Sequence, residues 1–112
     1  MTLYLLNNRL LPLSSQIRRA IVYQKRLSVE EARRLVHRRE FVSAIGHEEI
    51  AQLLSELLGV EVPTGRGVLP ILREGDEVLS FLATRPDGKV TRDHFELVYL
   101  RIEAASAIDF EI

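Results

Sequence analysis

No cysteine occurs among the 112 residues of the chain. Without thiols, the protein cannot form disulfides, use a thiolate nucleophile or bind a metal ion through thiolates. The composition is consistent with a reducing compartment.

Long hydrophobic runs are missing as well. Residues 1–6 are apolar, but they are too few for a signal peptide or a membrane span, and no later apolar run reaches spanning length. We therefore expect a soluble, cytoplasmic protein, located in the host cytoplasm if the chain is viral. No repeat or flexible linker interrupts the sequence, and its length suits a single domain over residues 1–112.

An excess of one charge sign is absent overall, because the formal net charge is −1, yet the two signs are unevenly distributed. Residues 1–40 hold nine Lys or Arg and three Glu, a net +6, whereas residues 41–112 hold six basic and thirteen acidic residues, a net −7. A basic region can contact polyanions, but a solvated helix face is the more common explanation. Few aromatic residues are interleaved with these basic residues, which argues against a nucleic-acid binder, and we expect neither duplex nucleic acid nor a membrane as a partner.

Two helices are indicated. Ser28 and Glu31 have the spacing of a capping box, which predicts a helix beginning there. A second helix is predicted from Gly46 as N-cap and His47 as first helical residue to Gly59 as its end. Its apolar stripe follows helical periodicity and consists of Ile50, Leu53, Leu54, Leu57 and Leu58.

Strands are predicted before, between and after these helices, which favours an α+β fold with a mixed sheet. The predicted strands cover residues 2–6, 20–23, 41–44, 77–83 and 95–102. We also expect residues 68–72 to form a hairpin with 77–83 around the turn at 73–76, and residues 107–112 to add an edge.

His47 is the candidate for acid–base chemistry. It lies at the start of the stronger helix, where backbone N–H groups are unpaired and anions are favoured, and Gly46 beside it leaves room for a phosphate. A histidine there can protonate a leaving oxygen, although a His that only caps or packs is the simpler explanation. Glu48 and Glu49 suit the helix dipole but would repel a phosphate unless they point away.

Arg85, Asp87, Asn7 and Asn8 all follow predicted strands. Arg85 can form a forked interaction with a phosphate, and Asp87 can orient that Arg or bind a sugar hydroxyl. Asn7 and Asn8 can bind a base or ribose. Ordinary turn chemistry also accounts for the asparagines and for the Pro-Asp-Gly sequence.

Other catalytic motifs are not found. His37 and His94 are isolated, and no His or carboxylate spacing resembles a zinc site. There is no Gly-rich phosphate loop either.

The segment FVSAIGHE at residues 41–48, followed by LLSELLGVEVP at 53–63, resembles the viral anti-CRISPR ring nuclease family of type III CRISPR systems and its bacterial relatives. Residues 3–7, the turn at 74–76 and the segments 84–85 and 88–90 resemble other parts of that family. The resemblance covers most of residues 2–90.

This resemblance implies a metal-independent phosphodiesterase that acts as a homodimer, without a cofactor. Such enzymes enclose cyclic tetra-adenylate, the type III CRISPR second messenger, and cut it into short linear adenylates. Carried over by position, the catalytic residues would be His47 as general acid, with Arg85 and Asp87. The expected ligand-binding residues are Asn7, Asn8, Gly46 and Glu48.

The sequence departs from the family pattern at three points. Glu49 and Ile50 replace small hydroxyl residues, the loop 85–88 is one residue shorter, and a helix is missing between Val90 and Phe95. The alternative function is therefore a module of the same fold that sequesters a cyclic nucleotide, or regulates, without cutting.

Overall fold

The computed structural model describes residues 1–9, 11–68 and 70–104. The elements in chain order are β1 (Leu3–Leu6), β2 (Ala20–Leu27), α1 (Val29–Arg38), β3 (Val42–Ser43), α2 (Glu48–Leu58), β4 (Glu77–Ala83) and β5 (Phe95–Ala104). In this part of the chain, no helix is long and apolar enough to cross a membrane. The edge predicted over residues 107–112 lies outside the described residues.

The five strands form one mixed sheet in the order β2-β5-β4-β1-β3. β1 pairs in parallel with both β3 and β4, whereas β5 pairs antiparallel with β4 and with β2. The predicted α+β class with a mixed sheet and two helices is therefore confirmed. The three parallel strands share one direction, so their carboxyl ends lie at the same edge of the sheet.

Both faces of the sheet are covered at its centre, whereas most residues of the edge strand β2 are exposed. On one face, α1 and α2 pack over side chains that include Leu5, Leu79 and Phe81, each fully buried. On the other face, residues of the segment 11–17 cover a second cluster around Val78 and Leu82. A central strand that is buried on both faces needs a nearly continuous apolar run, which is what β4 has.

The strand β2 is longer than predicted, since it extends beyond residues 20–23 to Leu27. Its additional residues include Gln24, Lys25 and Arg26, which are exposed and have weak strand propensity. They are held in the sheet because each pairs in register with β5. Charged residues are also common on edge strands, where they discourage pairing with other chains.

The predicted hairpin between residues 68–72 and β4 is wrong. β1 and β5 occupy both sides of β4, so no edge remains for another strand. Leu72 instead forms a single parallel bridge with Leu13. The turn at residues 73–76 is present, and Gly75 adopts a φ of 87° there, a conformation that favours glycine.

Capping interactions are present at the start of α1 and at the end of α2. The capping box of α1 is confirmed, because the Ser28 hydroxyl accepts the Glu31 N–H and the Glu31 carboxylate accepts the Ser28 N–H. α2 begins one residue later than predicted. His47 has an extended backbone (φ −118°, ψ 125°) and is therefore the N-cap in place of Gly46. At the other end Gly59 adopts a φ of 70° and donates its N–H to Ser55, as expected.

Candidate functional site

The candidate site lies at the edge where β1, β3 and β4 end. Asn7 follows β1 directly, and Arg85 follows β4 by two residues. The connection after β3 leads to His47 at the start of α2. In sheets with parallel strands, ligands bind outside the carboxyl ends, because loops from several strands converge there. The fold therefore brings residues from three distant parts of the sequence to one edge.

Three contiguous cavities occupy this edge, and together we call them the His47 cleft. The first, of about 550 Å³, is lined by Leu6, Asn7, Asn8, Pro12, Ala44, Gly46, His47, Val68, Pro70 and Ile71. The second, of about 720 Å³, is lined by His47, Glu48, Glu49, Ile50, Arg66, Gly88, Lys89, Val90 and Thr91. The third, of about 610 Å³, is lined by Asn7, Asn8, Arg9, Leu82, Ala83, Thr84, Arg85, Pro86, Gly88 and Glu96.

His47 stands between the first two cavities and is exposed to both. Its carbonyl oxygen accepts the N–H of Ala51 at 3.0 Å, which begins the helix, but its side chain makes no capping hydrogen bond. The imidazole is thus not used to cap the helix. Gly46 precedes it, and a Cβ built on Gly46 would meet nothing within 4 Å, so the backbone is open on that side.

Asn7 and Asn8 link the first cavity to the third, and Gly88 links the third to the second. The sequence-predicted ligand-binding residues therefore line one connected cleft. The first cavity combines the two asparagines with mostly apolar walls, which is a common arrangement in sites for small organic ligands.

Arg85 and Asp87 form an ion pair at 2.7 Å on the rim of the third cavity. Asp87 also accepts the Lys89 N–H at 3.0 Å, and Gly88, with a φ of 74°, donates its N–H to the Arg85 carbonyl. Residues 85–89 thus form an ordinary turn, and the ion pair with Asp87 also holds the Arg85 guanidinium in place. Asp87 itself does not line any of the three cavities, and its contact with the site is the ion pair with Arg85.

Glu48 and Glu49 are both among the residues that line the second cavity. Arg66 and Lys89 line the same cavity. This cavity therefore has charges of both signs. An anion there is favoured on the side of the two basic residues.

Neither Arg66 nor Lys89 was among the site residues predicted from the sequence. Arg66 donates its Nε–H to the carbonyl oxygen of Gly46 at 3.1 Å. The neighbouring Gly65 holds the backbone of Arg66 in position, since the Gly65 N–H donates to the Ile45 carbonyl oxygen at 2.8 Å. These contacts span about twenty residues of sequence and follow no local pattern, so only the folded chain reveals them.

The remaining histidines have other contacts. The His37 Nε2 lies 3.1 Å from the carbonyl oxygen of Leu58 at the end of α2, and the His94 Nδ1 lies 3.3 Å from the Thr91 hydroxyl. Thr91 and His94 belong to a tight turn, so no helix forms there, as expected. Among the residues that the structure describes, no group of three or more His, Asp or Glu could hold a metal ion.

Comparison with known proteins identifies relatives in viruses. The "Uncharacterized protein 26" of Sulfolobus islandicus filamentous virus is 39% identical over 97 residues, which cover 85% of this chain and 80% of that protein. The "Uncharacterized protein ORF117" of Acidianus two-tailed virus is 39% identical over 99 residues, 85% of this chain and 82% of that one. The family model described as "STIV B116-like" matches residues 3–105.

A solved structure supports the same fold. The structure of "B116 of Sulfolobus turreted icosahedral virus (STIV)" superposes with a TM-score of 0.73, covering 90% of this chain and 99% of that one at 18% identity. Because the family model matches nearly the whole chain, this protein belongs to the STIV B116-like family of archaeal virus proteins.

Proposed function

We propose that this protein is a metal-independent ring nuclease that binds cyclic tetra-adenylate and cleaves it to linear di-adenylates. Destruction of this messenger in the host cytoplasm would switch off type III CRISPR signalling, which is an anti-CRISPR function. One observation carries the proposal. The His47 side chain makes no capping hydrogen bond, and it lies in one cleft with Asn7, Asn8 and the basic residues Arg66 and Lys89.

The proposed reaction uses the substrate's own 2′-hydroxyl as the nucleophile. Its oxygen attacks the adjacent phosphorus and its proton passes to solvent, while the bond to the 5′ oxygen breaks. The His47 imidazolium protonates that leaving oxygen, so the products carry a 2′,3′-cyclic phosphate and a 5′-hydroxyl. Holding this intramolecular nucleophile in line with the leaving oxygen lowers the barrier, and a general acid contributes a further factor of roughly a hundred to ten thousand.

Charge on the phosphoryl oxygens has several stabilising groups nearby. The first N–H groups of α2 point out of the helix beside Gly46, where the backbone is open. Arg66 is held at the same place by the Gly46 carbonyl. Arg85 is the further phosphate ligand in this proposal, and its ion pair with Asp87 holds its guanidinium at the rim.

A homodimer fits the proposed substrate. In a two-fold symmetric dimer, each protomer contributes one copy of the cleft. Two identical clefts match a ring of four identical nucleotides. Size-exclusion chromatography with light scattering, with and without the ring, tests this part directly. A monomer under both conditions would contradict it.

The second candidate is a non-catalytic module that sequesters or senses a cyclic nucleotide. The acidic pair Glu48 and Glu49 in the second cavity favours it, because the carboxylates oppose the close approach of a phosphate to α2. In such a protein His47 would contact the ligand without transferring a proton.

The deciding experiment incubates purified protein with labelled cyclic tetra-adenylate in excess chelator. We expect linear di-adenylates, cleavage slowed by about a hundred-fold or more in His47→Ala, and retained ring binding by that variant. His37→Ala is the matched control, since it removes an imidazole near the other end of α2. Binding without cleavage would favour the second candidate, and cleavage only with added Mg²⁺ would contradict metal independence.

A further inference from the structure

A second concave surface lies at the opposite end of the sheet from the His47 cleft. It has a volume of about 470 Å³ and lies between α1 and the ribbon of β2 and β5. We call it the basic groove; its lining includes Tyr23, Lys25, Arg34, Leu35, Arg38 and Tyr99. In the sheet register, Tyr23 of β2 is opposite Arg101 of β5, and Arg101 is opposite Glu77 at the amino end of β4. The His47 cleft lies beyond the carboxyl end of β4, at the other edge of the sheet.

Two of the cations in this groove are neutralised by the protein itself. Lys25 forms an ion pair with Glu31 at 3.2 Å, and Arg39 is paired with Glu77. Each of these carboxylates is further engaged, Glu31 by the backbone N–H of Ser28 and Glu77 by the Tyr99 hydroxyl.

Arg34 and Arg38 are different, because neither side chain forms a hydrogen bond or ion pair with any residue in the described ranges. They are four residues apart on α1, which places them on one face with Cβ atoms about 5–6 Å apart. Two like charges at this spacing destabilise a helix slightly. A dianion that bridges both guanidinium groups would remove that repulsion and could accept a forked interaction from each.

The wall of the groove is aromatic and apolar. Tyr23 is 45% exposed, and its ring is positioned by Tyr99, with centroids 6.4 Å apart at 66°, and by the Arg101 guanidinium 5.3 Å from its centroid. Leu27 and Leu35 contribute partly buried aliphatic surface. A planar ring can stack on a half-exposed tyrosine that is already held in place.

We propose that the basic groove binds an aromatic phosphate monoester, with the phosphate on Arg34 and Arg38 and the ring against Tyr23. The groove volume lies within the range of about 300–1,000 Å³ that is typical of small-molecule sites. The site shares no lining residue with the His47 cleft and does not depend on the function proposed there.

The test is an NMR titration of the full chain with phenyl phosphate, and with inorganic phosphate and phenol as its two halves. We expect saturable amide shifts in residues 23–25, 34–39 and 99, and tighter binding of phenyl phosphate than of either half. The double variant Arg34→Gln, Arg38→Gln should weaken binding by about tenfold or more, because charge-assisted hydrogen bonds are lost. Both side chains are exposed, so the fold should be kept.

The double variant Arg18→Gln, Arg73→Gln is the charge-matched control, since it also removes two exposed cations, both outside the groove. Equal weakening by this variant would reduce the effect to general electrostatic attraction and overturn the proposal. It would also be overturned by shifts confined to the His47 cleft, or by the absence of saturation at millimolar phenyl phosphate. Equal affinities for phenyl phosphate and inorganic phosphate would overturn the role of Tyr23.

Discussion

The Arg66 guanidinium donates its Nε–H to the Gly46 carbonyl oxygen at 3.1 Å, which attaches the connection between α2 and β4 to the start of α2. The same arginine borders the cavity that contains His47. The Arg66 side chain thus has two roles. It holds the backbone at the start of α2, and it places a positive charge beside the cleft. This relationship makes Arg66 the residue through which binding can be tested apart from the proposed acid.

Arg66→Gln should weaken the binding of cyclic tetra-adenylate without unfolding the protein. A hydrogen bond to a charged group contributes about 1.5–3 kcal/mol, which corresponds to roughly 10- to 100-fold in Kd. The measurement is isothermal titration calorimetry, with a thermal melt to check folding. Arg73→Gln is the control, because Arg73 is also exposed on this connection but lies outside the cleft. An unchanged Kd in Arg66→Gln would contradict the prediction.

Gly65→Ala should destabilise the protein, whereas Gly46→Ala should not. A Cβ on Gly65 would lie 1.8 Å from the Ser43 carbonyl oxygen, so the backbone after β3 would have to move, and such overpacking typically costs about 1–3 kcal/mol. Gly46 has open space, so its change should stay within about 0.5 kcal/mol in urea unfolding.

The same glycine pair separates stability from binding. If a phosphate approaches the start of α2, the methyl group of Gly46→Ala occupies its path and the affinity for the ring should fall while the unfolding free energy is kept. Wild-type affinity in this variant would show that the phosphate does not approach there.

Asp76→Ala should lower the unfolding free energy by about 1.5–3 kcal/mol, the range for hydrogen bonds to a charged group. Its buried carboxylate accepts the N–H of Thr2 at 3.0 Å and that of Arg73 at 2.9 Å, which joins the start of β1 to the turn before β4. Urea unfolding measures the loss. Glu74→Ala in the same turn is exposed and should change stability by less than about 0.5 kcal/mol. Equal effects in the two variants would contradict the role of Asp76.

Tyr99 should make stability fall at alkaline pH. Burial, together with a hydrogen bond to the Glu77 carboxylate, raises the pKa of Tyr99 from 10.0 to about 12. Because the folded-state pKa is the higher one, this contribution is complete below pH 10 and is lost as pH rises from 10 towards 12. Burial raises the pKa of Glu77, but hydrogen bonds from Tyr99 and Arg39 outweigh it and lower that pKa overall.

The measurement is the unfolding free energy of wild type and Tyr99→Phe from pH 8 to 12. The difference between the two proteins should shrink across the upper part of this range. Tyr23→Phe is the control, and its difference from wild type should change less with pH because Tyr23 has no hydrogen bond with Glu77. A constant difference for Tyr99→Phe would contradict the prediction.

Local patterns in the sequence predicted the helices well. The capping box at Ser28, the apolar stripe of α2 and the end at Gly59 were all found, because each depends on residues within two turns of one another. The start of α2 was misplaced by one residue. Gly46 and His47 are both compatible with an N-cap, and only the backbone angles of His47 distinguish them.

Strand pairing was less predictable. Residues 68–72 form a short apolar run that resembles a buried strand, yet the neighbours of β4 come from the first strand and from the last described one. The polar residues Gln24 to Arg26 do not look like a strand, yet pairing with β5 makes them one. In both cases the outcome depends on which distant segment supplies the hydrogen bonds, and a local pattern does not contain that information.

The sequence by itself determined the fold class, the two helices and the residues that could carry chemistry, since these follow from periodicity, capping and side-chain type. Only the tertiary structure decided that Asn7, His47 and Arg85 border one cleft, because the parallel pairing of β1, β3 and β4 brings their carboxyl ends to one edge. The tertiary structure also placed Arg66 at the start of α2, and it placed Arg34 and Arg38 in the basic groove beside Tyr23. Such contacts join segments that are far apart in the chain, and their positions are set by the packing of the whole sheet.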